Sequence, residues 1–174
     1  MQTPSLTPSG KPSQCDGCVL QEKGNGFVWG RGADDATLLV LGERPGKHEI
    51  GRCDCAPETH PVMAPFVHKS GKELDFGLGG TRGGVYVTNV RKCLGAEKET
   101  PKVREASIEH CVNAYLRQEV AALAGVKSVL VVGADALEVA TGLRQITKLH
   151  GSAWARKEVE AMAQVTNGET DEEE

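Results

Sequence analysis

Apolar residues fall along this chain in two rhythms. Three short runs are nearly continuous: Ala36-Thr37-Leu38-Leu39-Val40-Leu41 stops at Gly42, Val85-Tyr86-Val87-Thr88-Asn89-Val90 is rich in β-branched residues, and Val126 to Val132 stops at Gly133. Runs of this length, bounded by turn residues, predict strands covered on both faces. Between and after them the spacing becomes helical. Ile108, Cys111, Val112, Tyr115, Leu116, Val120 and Leu123 predict a helix over 105–123, Leu74 and Leu78 one over 70–78, and 134–140 a short one directly behind the third strand. Strands alternating with helices indicate an α/β fold, a three-layer α/β/α sandwich. Ligands of open α/β sheets gather beyond the carboxyl ends of the strands. That directs attention to 42–46, 89–93 and 133–135.

The remainder of the chain adds ends and one long irregular stretch. Residues 1–13 are rich in Pro, Ser and Thr and lack a secretory apolar core, so they read as a flexible N-terminal arm. Residues 14–168 form one domain, and 169–174 a disordered acidic tail. That tail holds five of the 24 acidic groups, leaving 20 basic against 19 acidic in residues 1–168, so the net charge of −4 does not exclude an anionic partner. No apolar run nears the ~18 residues of a membrane span, so no membrane partner is expected. Without a secretory signal a cytoplasmic address is expected by default, and a monomer is the expected state. Six cysteines in a reducing compartment point to metal or catalysis rather than disulfides.

The motifs then fall in an order. Cys15-x-x-Cys18 is followed by the turn Gly42-Glu43-Arg44-Pro45-Gly46, by Pro65-Phe66-Val67 with Ser70-Gly71, by Thr88-Asn89-Val90-Arg91-Lys92-Cys93, and by Cys111 on a helix. Gly133-Ala134, and Ile146-Thr147 before His150-Gly151, continue it. This order resembles the family-4 uracil-DNA glycosylases, over roughly Cys15 to Gly151.

The resemblance implies a uracil-DNA glycosylase-like domain with a central, mostly parallel four-stranded sheet, acting on uracil-containing DNA. It implies Cys15, Cys18, Cys93 and Cys111 as ligands of a [4Fe–4S] cluster, with zinc as the alternative, since Cys-x-x-Cys is equally a zinc half-site. Phe66 would stack on uracil, and the Asn89 amide would read its edge, donating to O4 and accepting from N3–H. Glu43 would position water or offset charge on the sugar, with Gly42, Arg44, Pro45 and Gly46 shaping the turn whose N–H groups face uracil O2. Glu43 and Asn89 are thus the catalytic candidates. Glu49 matches a further acidic position of undefined role. Taken singly, each residue has a plainer reading: Phe66 as core, Asn89 as a turn cap, Glu43 as a solvated carboxylate.

Two departures stand out. Arg52–Met63, with Cys53, Cys55 and His60, looks like an insertion. The family's His-Pro motif on a C-terminal fourth strand is missing, and only Val165-Thr166-Asn167-Gly168 stands near its place. Besides an active glycosylase, the chain therefore admits a weak or inactive homologue that serves as a DNA- or protein-binding module.

Overall fold

The computed structural model describes residues 11–51, 64–144, 147 and 151–153. Its centre is a four-stranded sheet in the order β1-β3-β2-β4, from β1 (Arg31–Gly32), β2 (Leu38–Gly42), β3 (Val85–Asn89) and β4 (Ser128–Val132). β2 pairs in parallel with both β3 and β4, and β1 runs antiparallel along β3. The mostly parallel four-stranded sheet is as expected. Its fourth described strand, however, is an N-terminal two-residue strand that carries too little apolar pattern to be legible in the sequence.

The period of two along β2 separates two cores. Leu38 and Val40 pack with Val85, Val87 and Phe66 against Leu74 of α1 (His68–Gly77) and Leu78 just past its end. Leu41 points the other way, into a cluster with Val90, Ile108, Val112, Leu116, Ala136 and Val139. That second cluster draws on α2 (Pro101–Cys111), a π turn (Val112–Leu116) and α4 (Ala134–Thr141). Helices thus cover both faces, which is the three-layer arrangement. At the β4 edge, Val129, Leu130 and Val132 remain exposed. Among the described residues no helix is long and apolar enough to cross a membrane.

The predicted helix over 105–123 differs in two ways. It begins earlier, at Pro101, because Pro suits the first helical position and the Thr100 side chain accepts a hydrogen bond from the Val103 N–H. It is also interrupted by the π turn before resuming as α3 (Arg117–Ala122). The extra residue in that turn re-phases the helix: Tyr115 joins Cys111 against Cys15, while Leu116 stays on the sheet. Residues 11–13, expected to belong to a flexible arm, are in part packed. Lys11 and Pro12 are buried, and a 3-10 turn covers Ser13–Cys15.

Strand register positions the site. Gly42 lies opposite both Asn89 and Val132, so the three strands end on one row. The segments that follow them are therefore brought to one crevice.

Candidate active site and cysteine centre

At the end of β2 the chain must be glycine. A Cβ on Gly42 would meet Asn89 Oδ1 and would lie 2.6 and 2.8 Å from Cε2 and Cζ of the Phe66 ring. The Asn89 amide and the Phe66 ring therefore converge over the Gly42 Cα. Asn89 is only 3% exposed, and its Nδ2 has no hydrogen-bond partner among the described residues. A buried donor left unpaired costs about 1–3 kcal/mol, so such a group calls for an explanation.

Glu43 reaches from the same turn toward α4. Its Oε1 accepts a hydrogen bond from the Asp135 N–H at 3.1 Å. Gly133, at φ 106°, leaves the room for this, since a Cβ there would lie 2.6 Å from Oε1 and strike the Glu43 chain itself. Asp135 pairs with Arg104 at 3.2 Å. Burial raises the Asp135 carboxyl above its ordinary range, Arg104 opposes this, and the nearby Glu43 adds to it.

The other turn residues have defined partners. Arg44 is exposed and donates to the Leu94 carbonyl at 2.8 Å, so it ties the turn to the loop behind Cys93 instead of entering the crevice. Pro45 is buried. The Gly46 N–H donates to Glu49 Oε2 at 2.7 Å and is thus committed within the loop. Glu49 is buried, and desolvation raises its carboxyl despite backbone N–H donors from Gly46, Phe66 and Val67.

A second centre lies behind this crevice. Cys15, Cys93 and Cys111 are buried, Cys18 is half-buried, and all four are free thiols. Burial pushes the Cys111 thiol up to about 12, with like-charge repulsion from Cys93, Cys18 and Cys15 adding to it. Cys93 in turn is raised by burial and feels Cys18. Cys15 and Cys111 share one buried cluster with Phe27 and Tyr115, and Cys93 Sγ and the Lys11 ammonium both crowd the space above Gly24. Each of the four sulfurs also has a hydrogen-bonding group: the Leu20 N–H donates to Cys18 at 3.4 Å, the Gly95 N–H to Cys93, the Lys92 N–H to Cys111, and the Tyr115 hydroxyl lies 3.0 Å from Cys15. The buried Lys11 ammonium acts on both Cys15 and Cys93, while it donates to the Leu20 and Gln21 carbonyls at 2.8 Å. Such donors and a buried cation suit thiolates, whose charge needs compensation away from water. Among the described residues, no three His, Cys, Asp or Glu side chains gather as ligands of a single metal ion.

The family model described as "Uracil DNA glycosylase superfamily" matches residues 29–168, most of the chain. The chain belongs to the uracil DNA glycosylase superfamily. It is similar to a Type-4 uracil-DNA glycosylase of Pyrobaculum aerophilum, at 33% identity over 114 residues, 63% of this chain and 50% of that protein. It is also 33% identical over 107 residues to a Type-4 uracil-DNA glycosylase of Archaeoglobus fulgidus, covering 60% of this chain and 48% of the relative. The chain spans about half the length of the curated relatives it matches.

In this superfamily member, the structure brings together Gly42, Glu43, Phe66 and Asn89 on one side, and Cys15, Cys18, Cys93 and Cys111 on the other. Cys53, Cys55, His60 and the Val165–Gly168 segment lie outside the described residues. Sequence reasoning missed Asp135 as a partner of Glu43, although its position after β4 had drawn attention. It missed Lys11 and Tyr115 beside the cysteines altogether, because nothing in their local sequence distinguishes them from surface or core residues.

Proposed function

We propose that the chain is a uracil-DNA glycosylase, hydrolysing the N-glycosidic bond of uracil flipped out of DNA. The observation that carries this reading is the orphaned Asn89 Nδ2, buried beside the Phe66 ring at the carboxyl edge of the sheet. Uracil supplies what that donor lacks: O4 accepts from Nδ2, and N3–H donates to Oδ1. Cytosine offers the opposite pattern, leaving buried groups unpaired, and is rejected for that reason. Phe66 provides a face on which the extruded base stacks.

The reaction breaks the bond between C1′ and N1, sending its electron pair onto the uracil ring. Water adds its oxygen to C1′ and loses a proton, and the departing base gains one. Positive character on the sugar lies next to the Glu43 carboxylate, whose orientation is held by the Asp135 N–H. Glu43 therefore orients water and offsets that charge.

The four cysteines fit a [4Fe–4S] cluster, with Cys15, Cys18, Cys93 and Cys111 as its ligands. Zinc is the alternative, since four thiolates also make up a structural zinc site. A donor beside each sulfur and the nearby Lys11 favour the larger anionic centre. Its contribution is structural: it ties the N-terminal segment to the loop after β3 and to α2, next to the strand that presents Asn89.

The test is uracil release from a uracil-containing oligonucleotide by protein purified without oxygen, with iron and zinc measured in the same sample. Abasic sites and a brown, iron-bearing protein are expected. DNA binding without base release above a buffer control would remove the catalytic reading. A colourless zinc protein would remove the cluster.

A further inference from the structure

Two residues in three along the crevice wall hold a backbone conformation that side chains disfavour. Phe66 has φ 54° and His68 φ 63°, both left-handed, and neither is glycine. Such residues persist only where their surroundings over-determine them, and they cluster where a ligand must be met by fixed groups.

Phe66 is gripped from both ends of its peptide unit. Its N–H donates to Glu49 Oε1 at 2.5 Å, and the other oxygen of the same carboxylate accepts from Gly46 at 2.7 Å. One buried side chain therefore bridges the turn after β2 and the wall. The Phe66 carbonyl accepts from Arg82 Nη2 at 2.7 Å, and Arg82 is itself fixed by Asp75 at 2.6 Å. The Arg82 carbonyl accepts the Val85 N–H at 3.1 Å, at the start of the strand that ends in Asn89. The stacking wall and the reading amide are thus anchored to one strand. A further tie joins the same two loops: the His48 and His68 rings stack with centroids 3.9 Å apart.

We propose that Glu49 and Arg82 are positioning residues, which hold Phe66 in its left-handed conformation and so set the width of the slot between its ring and Asn89. The proposal rests on the reading of this crevice as the uracil site. Neither residue touches the base; each acts through Phe66. A carboxylate buried at a cost in desolvation is retained because no apolar group binds two N–H groups of separate loops at once.

The experiment compares Glu49→Gln, Arg82→Met and Phe66→Ala in the full cluster-bearing chain. The readouts are KM and kcat for uracil release, inhibition by free uracil, and hydrogen exchange of the Phe66 amide. Glu49→Gln and Arg82→Met are each expected to weaken uracil inhibition and raise KM about tenfold, with kcat altered less than about threefold. In the Phe66→Ala background the same changes are expected to alter inhibition less than about twofold, since their target is gone. Arg82→Lys, which keeps a donor, should recover part of the loss. Full additivity in the Phe66→Ala background, or unchanged uracil inhibition in both single variants, would overturn the proposal. Should the parent chain neither release nor bind uracil, the site reading itself fails. The clamp is still tested then, because Phe66 amide exchange must accelerate at least about tenfold in Glu49→Gln, and unchanged exchange overturns it.

Discussion

Asn89→Ala separates the demands of the site from those of the fold. In the free protein, Nδ2 is buried beside Phe66 with no partner among the described residues. Truncation removes a donor whose isolation costs about 1–3 kcal/mol. It also removes the amide's packing over Gly42 and against the Phe66 ring, about 1 kcal/mol for a group of this size. The balance is a net gain of about 1 kcal/mol, or roughly 2–4 °C in melting temperature for a chain of this length. Activity moves the other way. On the proposed reading, uracil would lose the group that accepts from N3–H and the one that donates to O4, so kcat/KM is expected to fall about 10²–10³-fold, which is roughly 3–4 kcal/mol of transition-state stabilisation. Thermal melting and uracil release should be measured on one cluster-bearing preparation. A variant that melts several degrees lower shows that Asn89 is satisfied and supports the fold. A variant that keeps full activity shows that another group reads the base. Either result refutes the reasoning.

Further outcomes follow from other close contacts. Gly133→Ala must accommodate a Cβ against Glu43 at a left-handed φ, and is expected to lower stability in urea by about 2 kcal/mol or more and to reduce uracil release. Lys92 is fully buried, with Nζ 2.5 Å from Glu119 and 2.6 Å from Thr88 Oγ1, so Lys92→Met should cost about 3–5 kcal/mol in urea unfolding by stranding the carboxylate. Adding Glu119→Leu should return most of that loss. Asp135 has its carboxyl raised by burial, so the native state binds a proton more readily than the unfolded chain. Its contribution is therefore lost as pH rises from the ordinary carboxylate range through the raised value. The stability of Asp135→Asn relative to the parent, followed by urea titration, should accordingly increase with pH across that window and level off above it.

Local sequence determined a good deal of this protein. The apolar runs at 36–41 and 85–90 mark strands because a strand buried on both faces has no polar side to display, whereas the run at 126–132 forms an edge strand whose Val129, Leu130 and Val132 stay exposed among the described residues. The positions at or just past the strand ends, Gly42, Asn89 and Gly133, mark the crevice because parallel strands end together. The ordered cysteines and the turn at 42–46 carried the family resemblance, since ligands and turns are properties of residue type and spacing. What the chain's pattern left open was settled by contacts between segments distant in sequence. The π turn at 112–116 arises because Tyr115 must face Cys15 while Leu116 faces the sheet, and helical periodicity alone holds no sign of that conflict. Glu49 matched an acidic position of undefined role and Arg82 carried no mark at all, and only packing shows them holding opposite ends of the Phe66 peptide unit. Lys11 lies in a stretch that composition marks as loose, yet it is buried beside Cys15 and Cys93. The physical reason is one of range. Periodicity and turn chemistry act between near neighbours along the chain, whereas desolvation and hydrogen-bond pairing at a site depend on which remote groups the fold brings within a few ångströms.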